Sequence, residues 1–108
     1  MAQNFRRYTS NAVGTSPATL VTANSYDTIV GISVSNIVGS TILADVYIND
    51  GSNDIYLVKN APIPSGGALQ VLAGGAKFVM QASDVLKVKS DTASSADVWV
   101  SAVDDIST

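Results

Sequence analysis

The stretch from Thr28 to Asn36 constrains this chain most, because β-branched aliphatic residues occupy every second position within it. Val30, Ile32 and Val34 fall on one face of an extended backbone, and Gly31, Ser33 and Ser35 on the other. A period of two with β-branched side chains is the pattern of a half-buried strand. Thr41 to Asn49 repeats it: Ile42, Ala44, Val46 and Ile48 alternate with Leu43, Asp45, Tyr47 and Asn49. The link Ile37-Val38-Gly39-Ser40 is short enough for a hairpin between these two strands.

The same reading extends along the chain. Asn49-Asp50-Gly51-Ser52-Asn53-Asp54 is a dense turn cluster leading into Ile55 to Lys59, so a second hairpin is expected there. Ala61-Pro62-Ile63-Pro64 is extended because each proline fixes φ and restricts the residue before it. Further strands are expected at Ala68 to Leu72, Lys77 to Gln81, Val85 to Lys89 and Ala96 to Val103, with glycine turns at Gly66-Gly67 and Gly74-Gly75. Asn4 to Thr9 and Thr19 to Thr22 are weaker candidates. No segment sustains a 3.6-residue period. The chain has 108 residues, the size of one domain with one core. About eight short strands with glycine turns predict an all-β, single-domain antiparallel fold, a β-sandwich or jelly-roll-like arrangement. Residues 1–12 read as an N-terminal arm and 13–108 as the sandwich domain. Ile29 and Leu43, apolar on nominally polar faces, imply that some strands are covered on both sides.

Missing residue types narrow the chemistry. There is no Cys, no His and no Glu, so all acidic side chains are Asp. That leaves no thiolate, no disulfide and no side chain with an ordinary pKa near neutrality. Asp104-Asp105 is read as a solvated pair, and Asp45, Asp84, Asp91 and Asp97 as strand-face and turn aspartates. Asn49, Asp50, Asn53 and Asp54 gather oxygen ligands, but the helix–loop–helix context and closing Glu of a calcium loop are missing. The expectation is therefore no enzyme, no catalytic or cofactor-binding residue, no cofactor and no metal. A net charge of -3 argues against nucleic acid as partner. No apolar run approaches the roughly 20 residues of a membrane-spanning helix, and no signal peptide follows Arg6-Arg7, so synthesis in the cytoplasm is expected.

Contact with other proteins is the expectation that remains. Charged residues make up 14% of the chain, against roughly 25% in ordinary soluble domains. A surface of hydroxyls and amides is cheaper to desolvate than one of unpaired charges. Phe5, Arg6, Arg7 and Tyr8 combine the aromatic and arginine content enriched at protein interfaces, and Tyr47, Tyr56 and Trp99 are further contact candidates. Lys87 and Lys89 share a strand face and read as edge lysines that discourage sheet-to-sheet aggregation.

Several of these segments carry a resemblance. Asn4-Phe5-Arg6-Arg7-Tyr8, Ile29 to Asn36, Tyr56 to Gly67, Leu69 to Leu72, Ser83 to Val88 and Ser94 to Ser101 together resemble small virion structural proteins of tailed bacteriophages, of the type found in phages of marine bacteria and cyanobacteria. Family members commonly carry Glu where this chain has Ser83. The resemblance implies a β-sandwich subunit present in many copies on the virion. Its first expected role is capsid decoration, as a cement protein held to the major capsid protein or to other virion proteins. The alternatives are a tail, neck or baseplate component and, from another class, a carbohydrate-binding module for host recognition. A homo-oligomer is expected, trimers being compatible by analogy, with no small-molecule substrate. The carbohydrate reading requires a solvent-exposed aromatic in a groove and measurable glycan binding.

Overall fold

The computed structural model describes residues 4–23, 27–71 and 78–104. Among the described residues are nine strands: β1 (Asn4–Val13), β2 (Ala18–Thr22), β3 (Asp27–Asn36), β4 (Ile42–Asn49), β5 (Asp54–Ile63), β6 (Ala68–Gln70), β7 (Phe78–Met80), β8 (Val85–Ser90) and β9 (Ala96–Asp104). Each expected strand has its counterpart. The Gly74-Gly75 turn, Lys77 and Asp105 lie outside the described residues.

The strands form two antiparallel sheets. One runs β1-β9-β3, with β6 and β7 both paired to the far side of β3, and the other runs β2-β8-β4-β5. Setting β7 aside, the nested pairs are β1 with β9, β2 with β8, β3 with β6 and β4 with β5. Successive pairs lie in alternate sheets. This is the connectivity of a jelly roll, an antiparallel ribbon wrapped over on itself.

The alternation read from the sequence supplies the core. Ile29, Ile32, Val34, Val98 and Val100 of the first sheet are buried together with Val21, Ile42, Val46, Leu86 and Val88 of the second. In β3 the facing is shifted at one point. A bulge between Ile29 and Gly31, opposite Ala102 and Ser101, changes the register. Ile29 therefore points into the core and Val30 is 38% exposed, the reverse of strict alternation from Val30. An extra residue in one strand exchanges the faces of everything beyond it.

The expected hairpin between Thr28–Asn36 and Thr41–Asn49 does not form, because β3 and β4 belong to different sheets. Asn36 makes the corner. Its buried side-chain amide donates to the carbonyls of Ser40 (2.7 Å) and Ile63 (2.9 Å), and its Oδ1 accepts the Val38 N–H at 2.9 Å. These bonds satisfy the backbone of the crossing loop and turn it toward the opposite sheet. The hairpin expected across Asn49–Asp54 does form, between β4 and β5.

Residues 4–12, expected as an arm, belong to the sheet instead. Asn4 to Ser10 pair residue by residue with Asp104 to Val98 of β9. β1 is thus an edge strand, held by a backbone ladder with Tyr8 packed against the core. Past Ser10 it bulges, and Ala12 there adopts φ 53°. One edge strand of the other sheet does the same: β5 bulges beside Asp45, with Asn60 also at φ 53°. In each bulge an aspartate of the adjacent inner strand accepts the N–H of the left-handed residue. Ala12 donates to Asp97 Oδ1 at 3.0 Å, and Asn60 to Asp45 Oδ1 at 2.7 Å. Bulged, twisted edges are poor templates for a further strand.

Two outcomes follow. Ile32→Ala, which empties a fully buried site, lowers the free energy of unfolding in urea by about 2–5 kcal/mol. Deleting residues 1–8 strips five of the eight paired positions of β1 from β9 and uncovers the core beneath Tyr8, so the truncated chain unfolds at a lower urea midpoint than the 108-residue chain.

Candidate functional site

Antiparallel register arranges the outer face of the first sheet in transverse rows. At one end Phe5, Val103, Thr28 and Val79 stand side by side across β1, β9, β3 and β7. Phe5 is 83% exposed and Val79 63%, so this is an apolar row open to solvent. Arg7, Ser101 and Gly31 form the next row, and Thr9, Trp99, Ser33 and Gln70 the one after. Asp97, Ser35 and Ala68 follow. The composition thus changes along the strands from apolar, through cationic and aromatic, to hydroxyl and acidic.

Trp99 is half exposed, and the Arg7 guanidinium carbon lies 5.5 Å from its ring centroid. Arg7 comes from the row on the Ser101 side. On the other side, toward Asp97, lies a depression of about 580 Å³ lined by Thr9, Ser10, Asn11, Ser33, Ser35, Asp97, Val98 and Trp99. Its polar groups are held in place: Ser33 Oγ accepts from Gln70 Nε2 at 3.1 Å, and Asp97 Oδ1 is fixed by the Ala12 N–H at 3.0 Å.

The outer face of the second sheet carries a different cluster. Tyr47 and Tyr56 are cross-strand partners with ring centroids 4.9 Å apart, and Lys59 Nζ sits 4.3 Å from the Tyr56 ring centroid. Lys87 pairs with Tyr47, and Lys89 with Asp45. Lys89 Nζ lies 3.9 Å from Asp45 Oδ2, a loose ion pair. Burial, reinforced by the negative charge of Asp54 and by Tyr56 and Asp45, pushes the Tyr47 phenol above its ordinary pKa. Lys87 and Lys89 are not edge lysines, since β8 is flanked by β2 and β4. Lys59 does lie on an edge strand.

The contact candidates therefore divide. Phe5, Arg7 and Trp99 share one sheet face, and Tyr47 and Tyr56 share the opposite one. Arg6 and Tyr8 have the other parity, opposite Ala102 and Val100, so Tyr8 turns toward the core while Arg6 stays exposed near the strand end. Val79 and Val103, which complete the apolar row, and Asp97 with Thr9 and Asn11, which complete the depression, were not legible as site residues. Only the pairing of β1, β3, β7 and β9 makes them neighbours.

The Asn49–Asp54 cluster uses its oxygens on its own backbone. Asp50 Oδ1 accepts the N–H groups of Ser52 (3.0 Å) and Asn53 (2.8 Å), Asn49 Oδ1 accepts that of Gly51 (2.9 Å), and Asn49 Nδ2 donates to Asp54 (2.8 Å). Hydrogen bonding chiefly from Asn53, then from Ser52, holds the Asp50 carboxyl below its ordinary pKa. The Leu43 N–H, then the Thr92 hydroxyl, do the same for Asp91.

No family model matches this chain, and no curated protein matches it significantly.

Asp45→Ala leaves the Asn60 N–H without its acceptor and destabilises the fold by about 1–3 kcal/mol in urea titrations, while Asp45→Asn, which keeps an acceptor, costs less. Asp50 and Asp91 are depressed carboxyls, so their contribution to stability is complete above the unfolded-state pKa. It is lost as pH falls through the folded-state value. The thermal midpoint accordingly drops between about pH 5 and pH 2, and the Asp50→Asn/Asp91→Asn double variant shows a shallower drop.

Proposed function

We propose that this chain is a non-enzymatic structural subunit of a tailed-phage particle, a capsid decoration protein that docks on its neighbours through the face of a rigid sheet. The apolar row of Phe5, Val103, Thr28 and Val79 carries this reading. Its side chains project from paired strands, so little conformational entropy is lost when they are covered. Arg7 and Trp99, one and two rows away, are residue types that commonly anchor protein contacts. The jelly roll is compatible with the role, since the architecture recurs in viral capsid domains, but it also hosts unrelated functions. The segment expected to tether the subunit keeps this role in a changed form. It presents Phe5 and Arg7 from within the sheet, instead of reaching out as a free arm.

Repetition makes a modest patch sufficient. A decoration subunit contacting a lattice at several points gains effective concentration from each attachment already made. A tail, neck or baseplate location would use the same face in a smaller ring.

Quantitative mass spectrometry of purified virions is expected to find this chain in hundreds of copies, and six or twelve would indicate the tail or neck instead. Phe5→Asp and Val79→Asp, both at exposed positions, are expected to keep the wild-type thermal midpoint and to lose binding to particles lacking the protein. Unchanged binding by both variants would overturn the assignment of this row as the docking surface.

A further inference from the structure

We infer that the depression beside Trp99 is a binding site for an uncharged hexopyranose unit of a polysaccharide, a role separate from the apolar row proposed for docking. Three features of the site point to this ligand class. The first is the platform: Trp99 is 51% exposed, with Arg7 packed at its ring from the row on the far side of the depression. An indole offers a flat apolar surface with a negative π face, which attracts the weakly positive C–H groups on one face of a pyranose ring.

The second feature is the polar lining. Asp97, Ser33, Ser35, Thr9 and Asn11 surround the space next to the indole. The Ser33 oxygen accepts from Gln70, which leaves its hydroxyl proton to be donated. The Asp97 carboxylate accepts one backbone N–H through Oδ1, and a carboxylate has acceptor capacity for more than one donor. A sugar hydroxyl both donates and accepts, so neighbouring hydroxyls of a hexose match this donor and this acceptor. The carboxylate also disfavours uronic and other acidic sugars.

The third feature is preorganisation. Thr9, Trp99 and Ser33 occupy a single row across β1, β9 and β3, and Asp97 and Ser35 the row beside it. These side chains stand on paired strands instead of loops, and the Ala12 bulge bond fixes the carboxylate. A volume of about 580 Å³ is within the range of small-ligand sites and exceeds that of one hexose ring. The site accordingly takes a unit within a chain, with neighbouring sugars extending over the open sheet.

The chain has one Trp, so its indole signal reports on this site alone. The experiment is a ¹H–¹⁵N NMR titration of the isolated 108-residue chain with methyl β-D-galactopyranoside, methyl β-D-glucopyranoside and, as the acidic counterpart, D-glucuronate. At least one neutral glycoside is expected to shift the Trp99 indole resonance and the backbone amides of Ser33, Ser35 and Asp97 saturably, with a Kd of about 1–10 mM. Glucuronate is expected to bind at least about fivefold more weakly, since its charge faces that of Asp97. Trp99→Ala is expected to abolish the amide shifts, and Trp99→Phe, which keeps an aromatic face, to retain them with weaker affinity. The inference is overturned if neither neutral glycoside gives saturable shifts by about 100 mM, tenfold above the weakest Kd expected. It is likewise overturned if Trp99→Ala binds as wild type does, or if glucuronate binds as tightly as the neutral sugars. Because the titration uses no particles, its failure leaves the docking proposal standing, and failure of Phe5→Asp and Val79→Asp to affect docking leaves the sugar site standing.

Discussion

Strand β9 is paired along both edges, with β1 on one side and β3 on the other, and the rest of the molecule depends on how its side chains divide. Ala96, Val98, Val100 and Ala102 are buried, while Asp97, Trp99, Ser101 and Val103 line the opposite face. Burial of the first set against β2, β4 and β8 stabilises the sandwich and fixes the register, because a slip by one residue would put Trp99 and Asp97 into the core. The same division sets the surface. Once Val98 and Val100 face inward, Trp99 must face out, and Thr9 and Ser33 must flank it.

Two edge strands, β1 and β5, are made irregular and then secured. The bulges near Ala12 and Asn60 place non-glycine residues in a left-handed conformation, which is unfavourable for L-residues. Both are stabilised by an aspartate on the neighbouring strand accepting the displaced N–H. Asp45 and Asp97, ordinary strand-face acids in sequence, thereby become structural acceptors. Asp97 also borders the depression beside Trp99, so one carboxylate shapes both the edge of the sheet and the polarity of the surface next to it.

The two outer faces differ in character. One grades from an apolar row at Phe5 to an acidic row at Asp97, with the Arg7–Trp99 contact between them. The other gathers Lys59, Lys87 and Lys89 around Tyr47, Tyr56 and Asp45. The exposed ends of the first face are separated by two rows of residues. Trp99 stands between them, with Arg7 on one side and the depression toward Asp97 on the other.

Sequence alone determined the all-β character, the positions of the strands and most of the core, because side-chain alternation is a local property that needs no knowledge of partners. It also determined the β4–β5 hairpin, whose turn is built from hydrogen bonds within six consecutive residues. Tertiary structure decided the rest. The crossing of β3 and β4 into different sheets depends on Asn36 bonding to Ile63, 27 residues away. The exchange of Ile29 for Val30 depends on a bulge opposite β9, and the membership of residues 4–12 in the sheet depends on a ladder to the far end of the chain. The surface rows have the same origin: Phe5, Val103, Thr28 and Val79 come from four separate strands. Their adjacency arises only when long-range antiparallel pairing sets the register, and alternation within one strand carries no information about which strand will lie beside it.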